Sequence, residues 1–171
     1  MARYLRRIRR GNWCPREEPL DWLPAGERPA DALGDLKTRE CSLSVWQLTD
    51  DGSNRERILA AIASTRMSLG PVDYIVFPSE MLEGLGLVVV KCAGDTHDRV
   101  ANSAWHHDLT RVSDQRLVIL GRRLLQWVSE DGTRLSRVIP PNLKLLLIAG
   151  IDAGRLAGDK IDERLRKDIG L

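Results

Sequence analysis

The chain contains only three cysteines, Cys14, Cys41 and Cys92, and no CxxC pair among its 171 residues. That spacing excludes both a zinc ribbon and a thioredoxin-like redox motif. No apolar run reaches the roughly 18 residues that a transmembrane helix needs, and no apolar signal-peptide segment follows the N-terminus. We therefore expect reduced thiols, a cytoplasmic location and no membrane association.

The chain also lacks an excess of charge of one sign, because it has 26 basic and 24 acidic residues and a net charge of +2. Such a balance argues against a surface that binds polyanions over its whole area. With 43% hydrophobic and 29% charged residues, the composition is that of a globular chain and not of a disordered one. The length suits one domain that buries a core of its own.

Basic residues are concentrated at the N-terminus, where five arginines fall within the first ten positions. The rest of the chain has 21 basic and 24 acidic residues, so a mildly acidic body carries a basic arm. A helical arm would place four of the arginines on one face, whereas a strand would divide them between two faces. With a neighbouring tryptophan they are the predicted binding residues: Arg3, Arg6, Arg7, Arg9, Arg10 and Trp13.

Proline recurs four times between residues 15 and 29, and this density disfavours helix interiors and central strands. We therefore predict two parts of the chain. Residues 1–41 form a basic arm and a proline-rich extended segment, and residues 42–171 form one α/β domain with a helical C-terminal part.

Apolar strands and helical segments alternate in the first half of this domain. Strands are predicted over residues 43–48, 72–77 and 87–91, with a helix after the first and a short helix after the second. Such alternation is typical of parallel pairing, and the unbroken apolar run of the third strand indicates a strand covered on both faces. The predicted fold is α/β, with a small three- or four-stranded, mixed or mostly parallel sheet and an extended N-terminal arm.

The last third of the chain is predicted to be helical. Leucine and valine recur at helical spacing from Leu117 to Val128, and apolar or amphipathic patterns continue over residues 140–151 and 159–168. The middle helix has a single charged residue, Lys144, before Asp152. A helix with so little charge belongs inside the core or under another chain.

Potential ligands and catalysts are dense in one segment, residues 92–108, which holds all three histidines of the protein. It follows the third predicted strand, at an edge where open α/β sheets bind ligands. Imidazole and carboxylate together suit Zn, Mn or Fe, or general base catalysis. The candidate metal ligands are His97, His106 and Asp108, and the candidate catalytic residues are Cys92, His97, Asp98, His106, His107 and Asp108.

The spacing within this segment matches no motif with a known mechanism, since HExxH, HxH and a histidine pair at i, i+4 are all missing. Adjacent His106 and His107 on a strand would also point to opposite faces. The alternative without a functional site is that one of these two histidines packs near Trp105 while the other is exposed to solvent.

The lack of an intact catalytic motif favours a binding function over an enzymatic one. We predict a non-enzymatic adaptor subunit, without a cofactor, that docks on a larger protein partner through the basic arm and the helical C-terminal part. Removing residues 1–10 would then abolish partner binding with little loss of thermal stability. The alternatives are a metal-dependent hydrolase or nuclease that uses residues 92–108, and a nucleic-acid-binding protein that uses the arm.

Overall fold

A computed structural model of the chain describes residues 1–13, 30–36 and 38–171. This part of the chain forms six strands and seven α-helices. The strands are β1 (Arg3–Ile8), β2 (Leu43–Leu48), β3 (Val72–Pro78), β4 (Val88–Lys91), β5 (His106–Thr110) and β6 (Leu135–Val138). The helices are α1 (Arg10–Trp13), α2 (Asp31–Gly34), α3 (Arg55–Ser64), α4 (Arg99–Trp105), α5 (Asp114–Glu130), α6 (Pro140–Asp152) and α7 (Glu163–Ile169).

All six strands form one sheet, in the order β4-β5-β2-β1-β3-β6, and every neighbouring pair is antiparallel. The α/β class is confirmed, but the prediction of a three- or four-stranded mixed or mostly parallel sheet is wrong. The three strands predicted from the first half of the domain do run in one direction. They are not neighbours, because β1 lies between β2 and β3, and β5 lies between β2 and β4.

Three of the five N-terminal arginines, Arg3, Arg6 and Arg7, lie in β1, a central strand of the sheet, so the prediction of an extended arm is wrong for this segment. β1 pairs with β2 on one side and along its whole length with β3 on the other. Its apolar residues Tyr4, Leu5 and Ile8 are buried, which explains why a segment so rich in arginine can lie inside the fold. The proline-rich stretch of residues 15–29 lies outside the described residues.

Helices cover both faces of the sheet. On one face, which we call the α3 face, Leu5, Trp46 and Tyr74 pack against α3, α6 and α7. On the other, the α5 face, Ile75 and Phe77 pack against α5 and α2. Because side chains alternate along each strand, the same short strands supply both hydrophobic cores.

The helical C-terminal part follows the predicted periodicity. α5 begins after Ser113, whose hydroxyl accepts a hydrogen bond from the Arg116 amide, and α6 begins with Pro140 at its first turn. Two features differ from the prediction. β6, a short strand between α5 and α6, is not among the predicted strands, and β4 is exposed along its length although its apolar run predicted coverage on both faces.

The predicted division of the chain at residues 41 and 42 stays a prediction, and β1 lies in the same sheet as the strands that follow that boundary. Across residues 1–13, 30–36 and 38–171, no helix is long and apolar enough to cross a lipid bilayer.

Candidate metal centre

Two of the three candidate metal ligands, His106 and Asp108, meet the candidate catalytic residue Cys92 on the α3 face of the sheet. Cys92 directly follows β4, and His106 and Asp108 lie on β5. Their donor atoms, the Cys92 sulfur, a ring nitrogen of His106 and a carboxylate oxygen of Asp108, all lie within 4.8 Å of one another. The sheet therefore brings together residues that are 14 and 16 positions apart in the chain.

The alternation of β5 explains this arrangement. His106 and Asp108 are two positions apart, so they share one face, whereas His107 points to the other. His106 packs edge-on against Trp46 of β2, with ring centroids 4.9 Å apart, which fixes the shared face as the α3 face. β4 pairs with β5, and the Cys92 amide donates to the His106 carbonyl, so Cys92 lies beside His106.

Both nitrogens of the buried His106 ring have polar neighbours. Nδ1 is 3.2 Å from the Cys92 sulfur, and Nε2 is hydrogen-bonded to the Ser44 hydroxyl of β2. Burial lowers the pKa of His106 below its usual value, so the ring is neutral at pH 7. A proton on Nε2, donated to Ser44, leaves the lone pair of Nδ1 directed at Cys92.

Cys92 is half-buried beside the Asp108 carboxylate. Burial, followed by the hydrogen bond and the charge of Asp108, raises the pKa of the Cys92 thiol to about 11. The thiol is therefore protonated at neutral pH and is a poor nucleophile there. This argues against a cysteine–histidine dyad in the metal-free protein, because such a dyad needs a stabilised thiolate.

The loop after Cys92 packs closely over the histidine. Gly94 lies so near that a Cβ at this position would be 3.0 Å from His106 Cγ and 2.8 Å from Asn102 Oδ1. The Asn102 side chain ties the loop to α4, since it accepts from the Thr96 amide and hydroxyl and donates to the Thr96 carbonyl. α4 and its loop thus hold His106 in place from above the sheet.

Asp98 has a different role from the one considered in the sequence. Its carboxylate caps α4 by accepting from the Ala101 amide and forms a two-pronged ion pair with Arg57 of α3, at 2.6 and 2.9 Å. Burial pushes the pKa of Asp98 up, but the Arg57 hydrogen bonds and charge outweigh burial and hold it below its usual range. Asp98 therefore anchors the segment that carries the site.

The other two histidines lie apart from the three converging donors. His107 is buried on the α5 face, where its ring meets Tyr4 edge-on with centroids 6.2 Å apart. His97 is half-buried in the loop before α4, and its carbonyl accepts from the Ala157 amide. Neither belongs to the cluster of Cys92, His106 and Asp108.

The predicted binding residues near the N-terminus are divided between internal contacts and solvent. Arg3 donates to the carbonyls of Thr49 and Asp50, and Arg6 donates to those of Ser44 and Asp35. Burial lowers the pKa of Arg6 to about 10. Arg7, Arg9 and Arg10 are exposed, and Arg9 lies 3.8 Å from Asp35. Trp13 is buried, and its indole N–H donates a hydrogen bond to Asp35.

Ser44 is the member of the site that the sequence did not indicate. It is the second residue of a correctly predicted strand, 48 positions before Cys92, and nothing in its local sequence distinguishes it from any other strand serine. Only the register of β2 against β5, which pairs Ser44 with Asp108, places its hydroxyl beside the histidine.

No protein-family model, curated protein or solved structure is significantly similar to this chain. Its function is therefore argued from the geometry and chemistry of its own residues.

Proposed function

We propose that the protein binds a zinc-like divalent metal ion through Cys92, His106 and Asp108 and uses it for metal-assisted hydrolysis. The observation that carries this proposal is the convergence of a thiol, an imidazole nitrogen and a carboxylate within 4.8 Å. The proposal adopts the hydrolase alternative of the sequence analysis, with Cys92 in place of His97 as the third ligand, and departs from its preference for a protein without a cofactor.

The donor set favours zinc over harder metals. Thiolate and imidazole are soft or intermediate ligands that suit Zn, whereas Mg and Ca prefer oxygen ligands alone. Tetrahedral zinc holds a sulfur and a nitrogen ligand about 3.5 Å apart, given bond lengths of about 2.3 and 2.0 Å. The 3.2 Å between Cys92 and His106 needs a shift of only a few tenths of an ångström to match.

The contacts around the three residues also suit a metal site. Zinc-binding histidines commonly donate their second ring nitrogen to a neighbouring acceptor, which fixes the orientation of the ring. The Ser44 hydroxyl is that acceptor for His106. The thiol of Cys92 would lose its proton on binding, since the thiolate is the ligand form.

Among the residues that the structure describes, the group offers three protein ligands, and this number favours a catalytic role. Structural zinc sites close the coordination shell with four protein ligands, whereas catalytic sites use three and keep one position for water. A zinc-bound water has a pKa of about 7, so it supplies hydroxide at neutral pH for attack on an ester, amide or phosphodiester. Cys92 and Asp108 are half-buried, which leaves a side of the site open to solvent.

Cobalt binding tests the metal site directly. Titration of the metal-free protein with Co²⁺ is expected to give one equivalent of binding and a thiolate-to-cobalt charge-transfer band. Cys92→Ser should lose that band, and Asp108→Asn should weaken binding. His97→Ala is the matched control, because His97 belongs to the same segment but lies outside the cluster, and it should bind cobalt normally. An absence of binding, or equal binding by all variants, would refute the site.

Hydrolysis is tested separately with the zinc-loaded protein on chromogenic ester and phosphodiester substrates. We expect zinc-dependent turnover in the wild type and in His97→Ala, and its loss in Cys92→Ser. Stoichiometric zinc binding without turnover of any substrate class would leave a metal-binding protein and refute the hydrolase.

Docking on a larger protein partner is a second proposal, supported by the exposed side chains of Arg7, Arg9 and Arg10 and by exposed Leu145 on α6. Arginine and large apolar residues are common at protein interfaces. Because β1 is a central strand, substitution replaces truncation as the test. A triple arginine-to-alanine variant should lose a partner that the wild-type protein retains, while its thermal stability stays unchanged.

Nucleic-acid binding through the same three arginines is the remaining alternative. Its support is their exposure at the end of β1 and just beyond it. It predicts an affinity for duplex DNA that falls with salt, with a slope of roughly −0.9 per phosphate neutralised. A flat salt dependence would refute it.

A further inference from the structure

The two edges of the sheet differ in how they are protected. β4 forms one edge and β6 the other. An unprotected edge strand exposes a row of backbone donors and acceptors that can pair with a strand of another chain. Natural sheets block such pairing with charged side chains, prolines or a covering element.

β6 carries such protection. Arg137, in the middle of the strand, is an exposed charged residue whose guanidinium holds Asp73 of the neighbouring strand at 2.6 and 3.1 Å. Pro140 and Pro141 follow one residue after the strand and turn the chain into α6. This edge is therefore closed to a further strand.

β4 has almost none of that protection. Val88, Val89 and Val90 are 38, 37 and 41% exposed, and in the described part of the chain only β5 pairs with this strand. The strand contains no proline, and its one charged residue, Lys91, stands at its end. The segment before it, Gly84 to Gly86, borders a groove of about 610 Å³ that exposed Ile119 of α5 also lines. This groove, which Ser113, Gln115 and Arg116 also line, extends the exposed surface towards α5.

We propose that two copies of this chain pair through β4, antiparallel and about a two-fold axis, with Val89 opposite the second copy's Val89. Pairing of β4 with β6 of another copy would build open fibres, but the protection of β6 prevents it. Pairing of β4 with β4 of a second copy gives a closed dimer, because neither copy then has a free β4 edge to bind a third.

The register follows from the faces of the strand. A two-fold axis perpendicular to the sheet leaves each sheet face on the same side in both copies. Because side chains alternate between the faces, two residues that lie opposite each other must both have odd numbers or both have even numbers. Centring the axis on Val89 sets Val88 against Val90 and Lys91 against Leu87. The two lysine positions then lie about 14 Å apart along the strands, farther than the Debye length at physiological salt.

The available area sets the strength of this contact. The exposed parts of the three valines, Lys91 and Ile119 amount to roughly 400 Å² per copy, or 800 Å² in total, which is below the size of stable interfaces. We therefore expect a weak dimer with a dissociation constant on the order of 10–100 µM, seen only at high protein concentration.

A charge-pair experiment tests both the dimer and its register. Because Val89 meets its own copy, Val89→Lys places two ammonium groups side by side, and Val89→Glu places two carboxylates there. In sedimentation equilibrium each variant alone should be monomeric at concentrations where the wild type dimerises. An equimolar mixture of the two should form a heterodimer, since the opposed charges now attract.

The matched controls are Val100→Lys and Val100→Glu. Val100 lies on α4 and is 52% exposed, so the same charge is added to a comparable apolar site away from the edge. Both controls should dimerise like the wild type, and circular dichroism should show all four variants folded. In the wild type, amide exchange at residues 88–91 should slow as concentration rises.

Three results would overturn the proposal. The first is a wild-type protein that stays monomeric up to about 1 mM. The second is a dimer that survives both single Val89 variants, which would place the interface elsewhere. The third is a mixture of Val89→Lys and Val89→Glu that remains monomeric, which would exclude the Val89-centred register.

Discussion

Replacing Arg57 with alanine tests whether the ion pair between α3 and α4 holds the candidate site in place. In the intact protein the Asp98 side chain is 1% exposed and accepts two hydrogen bonds from Arg57 and one from the Ala101 amide. The variant would leave a buried carboxylate with backbone amides of α4 as its only donors. Removal of one partner of a buried ion pair typically costs about 3–5 kcal/mol.

The structure places this variant near the lower end of that range. A cavity of about 160 Å³ borders both Arg57 and Asp98, so water can reach the carboxylate once the guanidinium is gone. The lost cation–π contact, with the guanidinium 5.5 Å from the centre of the Trp105 ring, adds about 0.5–1 kcal/mol. We therefore expect a loss of about 3.5–4 kcal/mol, which corresponds to a fall of about 7–16 °C in Tm.

Urea unfolding at pH 7, followed by tryptophan fluorescence, measures this loss. Arg9→Ala is the matched control, because the Arg9 side chain is 83% exposed and lies 3.8 Å from Asp35, so its removal should cost less than about 1 kcal/mol. The difference between wild type and Arg57→Ala should shrink as the pH falls below about 4 towards the lower pKa of Asp98 in the folded wild type, because the ion pair is lost only when that carboxylate is protonated. Equal free energies of unfolding for the Arg57 and Arg9 variants at pH 7 would refute the reasoning.

Three further predictions concern β1, the loop over His106 and acid stability. Removal of residues 1–10 deletes a strand paired on both sides, so circular dichroism should show no cooperative unfolding transition, and an unchanged Tm would contradict the fold. Gly94→Ala pushes an added methyl against His106 and should weaken cobalt binding about tenfold, whereas Gly132→Ala, with open space around it, should not. In the metal-free protein, burial depresses the pKa of His106, so the folded state favours the neutral ring. The neutral His106 ring therefore stabilises the fold above about pH 6.5, and this stabilisation is lost as the pH falls through the lower pKa of His106 in the folded protein. A His106→Gln variant whose free energy of unfolding keeps the same pH dependence would contradict this prediction.

Local patterns in the sequence predicted most of the elements correctly. β2 was predicted with its observed bounds, α6 was predicted to within one residue, and the apolar pattern from Leu117 to Val128 lies inside α5. These elements have strong local signals, namely a short apolar run with Val45 and Trp46, a serine cap and an initial proline pair. The same signals did not reveal β1, because alternation is hard to recognise when arginines stand at both buried and exposed positions.

Strand order was the feature that local patterns could not provide. Alternation of strands and helices predicted that β2 and β3 are parallel neighbours, and they do share a direction. The strand between them comes from the first eight residues, 34 residues separate it from β2 in the chain, and no periodicity reports such a distant pairing. The exposure of β4 was missed for the same reason, since an apolar run shows affinity for a sheet and not the strand's place in it.

For this protein, the sequence by itself determined which side chains are of types that could bind a metal ion. It also determined that His106 and His107 point to opposite faces of the sheet, because side chains alternate between the faces along a strand. The tertiary structure alone decided that Cys92 and Asp108, and not His97, stand beside His106, and that Ser44 completes the set. The physical reason is that donors must converge within a few ångströms, and that distance depends on the register between strands that are remote in the chain.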